Sequence, residues 1–336
     1  MNFEIIVAAV VGFIITALSG FFFIPFLKKL KYGQTILEIG PRWHKNKEGT
    51  PTMGGLMFIL GIVLALICAF VTAIISGGIK EVYSTDNIRL FAGVIMALLF
   101  GAIGFVDDYI KVVKKRNLGL TAKQKMAAQI LIAVCFLVTL YLGGDKSTEL
   151  YIPFIGSLDL GIFYYPFSVF VIVGFVNAVN LTDGIDGLAA SVTFMASLGF
   201  MAISILLRAS SMNMLAAALA GGCVGFLMFN FHPAKVFMGD TGSMFLGGLV
   251  VALAFGLRQP LLLVFCGIIY LIETGSVMLQ VTYFKLTHGK RIFKMSPIHH
   301  HYEMSGWSEV KIVIVFSIVT LIGCAVAVLS VVNMIK

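Results

Sequence analysis

Ten apolar runs dominate this chain, near residues 3–27, 53–76, 88–106, 124–143, 161–179, 188–207, 213–229, 243–257, 261–283 and 310–335. A helix needs about 20 such residues to cross a bilayer, and each run approaches or exceeds that length. The chain is 59% hydrophobic and 12% charged, too little polar surface for a soluble domain. The expected fold is therefore all-α and polytopic, a single integral membrane domain over 1–336 with about ten transmembrane helices. Pro25, Lys28, Lys29 and Lys31 follow the first run, which has neither a basic leader nor a small-residue cleavage site, so it reads as a retained helix.

Basic residues fall in alternate short loops. Lys28, Lys29, Lys31, Arg42, Lys45 and Lys47 lie in the first, and Lys111, Lys114, Lys115, Arg116, Lys123 and Lys125 in the third. The other side is poorer, with Lys80, Arg89, Lys146, Arg208, Arg258 and Lys336. The positive-inside bias thus predicts odd-numbered loops in the cytoplasm and both termini outside. Topology alone explains this asymmetry; attraction of anionic lipid or substrate is the other reading.

Five of the eight aspartates gather at the membrane boundary on that same side: Asp107 and Asp108 after the third run, Asp183 and Asp186 after the fifth, Asp240 before the eighth. A central aspartate costs roughly 2.5 to 3.5 kcal/mol on insertion scales, so the cluster asks for partners. Helix capping suits Asp183 and Asp186 but does not account for the adjacent pair, whose carboxylates repel. A hard divalent cation such as Mg²⁺, held by carboxylates and substrate phosphates, would reward the arrangement and points to phosphoryl chemistry. A transporter would place its acids near the midplane, where only Glu273 falls; there it hydrogen-bonds to a neighbouring helix or marks a break in the ninth run.

All six histidines occupy the same face: His44, His232, His288, His299, His300 and His301. Three consecutive side chains diverge on a helix, which argues against zinc and for hydrogen bonding to phosphate or proton transfer. Glycine-rich segments at 49–55 and 237–243 each adjoin an expected helix start, where free N–H groups would cradle phosphate. The five cysteines lie singly inside apolar runs and read as packing residues. The basic loops lack the interleaved aromatics that base stacking needs, so no nucleic-acid partner is expected.

The segments GTPTMGG (49–55), DDYIK (107–111), NLTDGIDG (180–187), FMGDTGS (237–243) and PIHHHYE (297–303) together resemble the phospho-N-acetylmuramoyl-pentapeptide transferases, within the polyprenyl-phosphate N-acetylhexosamine-1-phosphate transferase superfamily. The resemblance runs over essentially the whole chain. It implies transfer of phospho-N-acetylmuramoyl-pentapeptide from UDP to undecaprenyl phosphate, with release of UMP and formation of lipid I for the cell wall. It also implies a Mg²⁺ requirement, a bacterial plasma-membrane location with a cytoplasmic active site, and a homodimer. By motif match Asp240 would hold the metal, Asp107 and Asp108 would sit in or beside the reacting centre, and His299 close to the diphosphate. Lys45, Thr50, Asn180, Asp183, Asp186, Asn230, Phe237, His300 and His301 would shape the nucleotide-sugar pocket, with Phe237 a surface for uracil to stack on.

Both substrates are anionic, so cations must offset the carboxylates; Lys111 or Lys123 is expected at the lipid phosphate. That phosphate is largely dianionic at neutral pH and needs little help from Asp107 as a base. Direct in-line attack is expected, against a covalent aspartyl intermediate. A related transferase of N-acetylglucosamine 1-phosphate and a polytopic transporter are the competing readings.

Overall fold

The computed structural model describes residues 3–29, 47, 49–77, 83–113 and 119–336. Among the described residues, nine helices are long and apolar enough to span a membrane: α1 (Phe3–Lys29), α2 (Gly55–Ile75), α3 (Thr85–Val113), α4 (Ala122–Leu142), α5 (Tyr164–Thr182), α6 (Leu188–Leu206), α7 (Ser210–Asn230), α8 (Gly239–Gly256) and, last in the chain, α12 (Glu309–Ile335). A tenth apolar stretch is broken. Its short first part, Pro260–Cys266 with α9 at Leu263–Cys266, meets α10 (Ile268–Leu286) at 83° across Gly267. Ten apolar crossings or insertions are thus present among the described residues. The break lies six residues before Glu273, not at it.

Two further differences follow from local chemistry. Glu149–Ile152 (β1) and Gly156–Asp159 (β2) form an antiparallel hairpin between α4 and α5 that the apolar runs did not announce. Its turn uses Gly156 at φ +134°, a conformation only glycine adopts without strain. Helix α3 also continues to Val113, so Asp107, Asp108 and Lys111 project from its last turns instead of a loop, and Asp240 lies in the first turn of α8.

The core is built around α8, which is buried from Thr241 to Gly256, whereas the peripheral α4 buries only Gln129, Ala133, Phe136, Leu137 and Leu140. Lipid offers helices no hydrophobic reason to associate, so close backbone approach through small residues has to supply the packing. Helices α3 and α8 show how. A Cβ added at Gly93 would lie 2.7 Å from Ala252 Cβ, one at Gly248 2.6 Å from Ala97 Cα, and one at Gly104 2.6 Å from Thr241 N. Residues 93, 97, 101, 104 and 108 recur at helical spacing, so this seam runs antiparallel along α8 and delivers Asp108 to its N-terminus. Gly55 of α2 and Gly242 of α8 meet with equal closeness.

Alternation of the helices gathers the C-terminal ends of α3, α5, α7 and α10 and the N-terminal ends of α2, α4, α6, α8 and α12 at one end of the bundle. The opposite end is tied by Arg89, which pairs with Asp86 at 2.8 Å and Asp145 at 2.7 Å, while Arg258 holds the other oxygen of Asp145 at 2.7 Å.

Candidate active site

The end that collects those helix termini holds two carboxylate clusters, and the five aspartates divide between them and the turn that joins them. In the first, Asp107, Asp108 and Asp240 each offer an oxygen within 4.8 Å of the others. Asp108 is buried and acts as a cap. Its Oδ1 accepts from Asp240 N at 3.2 Å, and its Oδ2 from Thr241 N at 2.9 Å and Thr241 Oγ1 at 2.7 Å. A carboxylate bonded to the N–H groups at a helix start is favoured by the helix dipole. Capping therefore does explain half of the adjacent pair.

Asp107 turns the other way. Its Oδ1 accepts from Leu120 N at 2.8 Å, fixing the entry to α4, and its Oδ2 pairs with Lys111 Nζ at 2.6 Å. The start of α4 is further closed by a capping box between Thr121 and Gln124. Asp240 receives Asn180 Nδ2 at 2.9 Å on one oxygen, and Lys111 at 3.0 Å and Lys125 at 2.8 Å on the other. Asn180 also donates to Ser243 Oγ at 2.8 Å, which locks its amide.

Lys125, not Lys123, is thus the second ammonium of the cluster. Lys123 is exposed on α4, whereas Lys125 lies one turn before buried Gln129, whose amide is bonded to Asn177. The stripe Lys125, Gln129, Ala133 was readable in the sequence as the inward face of α4.

Asp186 belongs to the second cluster, with His232 and Glu309. Lys47 Nζ lies 2.7 Å from both Asp186 and Glu309, and His232 Nδ1 lies 3.0 Å from Asp186. Glu309, at the first turn of α12, also accepts from Asp186 N at 2.9 Å. Sequence reasoning overlooked Glu309 and Lys47 as site residues; Glu309 follows the helix-capping Ser308, which hid it as an ordinary first-turn acid. Asn230 is buried with its amide bonded to Gly187 N and Val236 O, so it joins two loops.

Asp183 closes α5 on the turn between the clusters. Burial pushes its carboxyl up to about 8, and the negative charges of Asp240, Asp108 and Asp186 add to the effect.

The glycine segments are not open phosphate cradles. Gly54 N donates to Phe237 O at 2.8 Å and Gly55 N to Met238 O at 3.0 Å, while the first N–H groups of α8 go to Asp108. The two motifs instead hold each other: half-buried Phe237 also donates its N–H to Pro51 O at 2.9 Å. Thr50 stands beside them, bonded through its N–H to Lys47 O. Lys45 lies outside the described residues.

The three histidines sit on a short helix, α11 (Ile298–Glu303), and diverge as expected. His299 is buried and its Nδ1 lies 3.0 Å from Glu273 Oε2. His300 Nδ1 is 2.6 Å from Glu303, and His301 Nδ1 accepts from Lys294 N at 3.1 Å.

Acids, ammonium groups and an amide thus converge from α3, α4, α5 and α8 on one face of a membrane bundle. The Glycosyl transferase family 4 model matches residues 90–258, which hold all three acids of the first cluster. The phospho-N-acetylmuramoyl-pentapeptide-transferase signature 1 matches residues 47–59, from Lys47 into α2. A phospho-N-acetylmuramoyl-pentapeptide-transferase of Listeria monocytogenes serotype 4b is 48% identical over 319 residues, covering 95% of each chain. The chain belongs to this family. Proteins of the same name from Caldanaerobacter subterraneus (47% identical; 96% of this chain, 98% of the relative) and Heliobacterium modesticaldum (47%; 98% and 97%) agree along nearly their whole lengths. The chain is accordingly a multi-pass membrane transferase of this family.

Proposed function

We propose that this chain transfers phospho-N-acetylmuramoyl-pentapeptide from its UDP carrier to undecaprenyl phosphate, releasing UMP and forming lipid I. The observation that carries the reading is the convergence of Asp107, Asp240, Lys111 and Lys125 at one end of a membrane bundle. A polyprenyl phosphate keeps its chain in the bilayer and its headgroup at the interface, so the reaction belongs at such an end. We assign that end to the cytoplasm of a bacterial plasma membrane, with both termini outside, because Lys28, Lys29, Lys111 and Lys125 flank it. The chain acts as one domain over 1–336.

The donor set suits Mg²⁺. Its oxygens are hard, and a carboxylate accepts about four contacts, leaving capacity on Asp107 and Asp240. Asp108 is tied at the start of α8 by two backbone N–H groups and the Thr241 hydroxyl, whereas the cations on Asp107 and Asp240 are lysine side chains that can turn away. Asp240, with Asp107 beside it, would hold the ion, which when bound supplies charge neutralisation at the diphosphate.

The protein's own groups do the rest. Asn180 orients the Asp240 carboxylate, and Lys111 and Lys125, now paired with acids, turn to the phosphates as anionic substrate enters. Asp183, Asp186, Thr50, Phe237, His300 and His301, with Lys45, shape the nucleotide-sugar pocket. Positioning and charge stabilisation supply the acceleration, with the lipid phosphate attacking in line.

Asp240→Ala is expected to abolish turnover while the protein stays folded; near-normal activity at saturating Mg²⁺ would remove Asp240 from the metal site. Exchange of labelled UMP into the UDP-sugar without lipid acceptor would replace direct attack by a covalent route.

A further inference from the structure

Glu273 stands on α10 beyond the bend at Gly267, and neither its side chain nor that of His299 has any exposure. An acid placed there is costly unless a specific partner rewards it. One oxygen has that partner, His299 Nδ1 at 3.0 Å. The ring's far nitrogen, Nε2, is buried with no hydrogen-bond partner among the described residues, as is Glu273 Oε1. That edge of the ring rests on Gly184: a Cβ built there would lie 2.6 Å from His299 Cε1 and closer still to Nε2. The imidazole therefore occupies the space a side chain at 184 would need, directly behind the turn that carries Asp183. Pro297 starts α11 and His300 packs across the ring at 4.1 Å between centroids, so the imidazole is held from the side as well.

We propose that Glu273 is a positioning residue. Its carboxylate accepts the Nδ1 proton of His299, which fixes the ring with Nε2 bare and makes that edge the back wall of the Asp183–Gly184 turn. A bare nitrogen accepts and does not donate. It thus suits a hydroxyl or N–H of the nucleotide-sugar donor that reaches it as the turn adjusts, and not an unprotonated oxygen of the diphosphate. The expectation that His299 serves the diphosphate is thereby changed to one of donor-substrate recognition, and this step rests on the function proposed above.

The test has a spectroscopic arm that needs no substrate. Protein labelled with ¹⁵N-histidine, with His299→Gln to assign the signal, is expected to show His299 protonated at Nδ1 and bare at Nε2. Glu273→Leu should lose that signature, and Glu273→Gln, whose amide oxygen accepts the same proton, should keep it. In kinetics, Glu273→Leu is expected to raise KM for the UDP-sugar by up to about tenfold, the upper end of what one neutral hydrogen bond is worth, with KM for the lipid phosphate unchanged and Glu273→Gln restoring much of the loss. A proton on Nε2 in the wild-type protein would overturn the proposal, as would Glu273→Leu that loses the signature with KM intact. If UDP-MurNAc-pentapeptide is not turned over at all, the tautomer result still decides the Glu273–His299 arrangement, so the two failures are distinguishable.

Discussion

Replacing Gly104 by Ala should disable the enzyme through geometry alone. The added Cβ would lie 2.6 Å from Thr241 N and against the Asp240 carbonyl, whereas ordinary contact begins at 3.4 Å. The obstacle is backbone on both sides and the Asp240 carbonyl is nearer than Thr241 N, so α3 and α8 must separate by roughly 1 Å or more at the level where Asp107 and Asp108 face Asp240. Displacing catalytic groups by ~1 Å costs on the order of 10²-fold in rate. Gly101→Ala, on the same seam, is the control: its Cβ would sit 3.2 Å from Phe245 Cβ and 3.4 Å from Thr241 O, so a shift of a few tenths of an ångström accommodates it. Turnover of detergent-purified variants with matched elution profiles is the assay. A fall of about a hundredfold in kcat for Gly104→Ala, with Gly101→Ala close to wild type, is expected. Wild-type turnover by folded Gly104→Ala would refute the claim that this seam sets the spacing of the carboxylates.

Three further outcomes follow. Lys125→Met should lower kcat/KM on the order of 10²-fold, as loss of one charge-stabilising donor does, while Lys123→Met should have little effect; equal effects would return Lys123 to the site. Asp108→Asn should place an amide donor against a backbone N–H of the first turn of α8 and cost about 1–3 kcal/mol, seen as a lower melting temperature with or without Mg²⁺; destabilisation only when Mg²⁺ is present would make it a ligand instead. Below about 8 the Asp183 carboxyl keeps its proton in the metal-free protein, and a cation beside its neighbours favours ionisation. Mg²⁺ binding at neutral pH should therefore release up to about one proton and tighten as pH rises to that value, then level off. Binding enthalpies identical in buffers of different ionisation heat would contradict this.

The membrane plan was legible because it depends on run length, which a bilayer imposes directly. The break at Gly267 was not, since Leu263 to Cys266 and the residues beyond are apolar on both sides of it. Asp240, Lys111 and the Asp107–Asp108 pair were found from their charge at one face, and Asn180 only through the family motif. Their division of labour was hidden: which carboxylate caps α8 and which remains available depends on how far α3 reaches past its apolar stretch. Lys125 was missed in favour of Lys123 because charge was counted by loop and not by helix face. The partition of Asp186 from the other acids depends on Glu309 and Lys47, which are distant from it in sequence; the packing of α12 against α6 brings Glu309 there.

The central claim is tested most directly by turnover of the purified protein with UDP-MurNAc-pentapeptide and undecaprenyl phosphate, with and without Mg²⁺. UDP-GlcNAc is run in parallel, and UMP and lipid product are both quantified. Mg²⁺-dependent, equimolar formation of UMP and lipid I, with UDP-GlcNAc inert, is the predicted result. Reaction of UDP-GlcNAc alone, or of neither donor in a demonstrably folded sample, would contradict it.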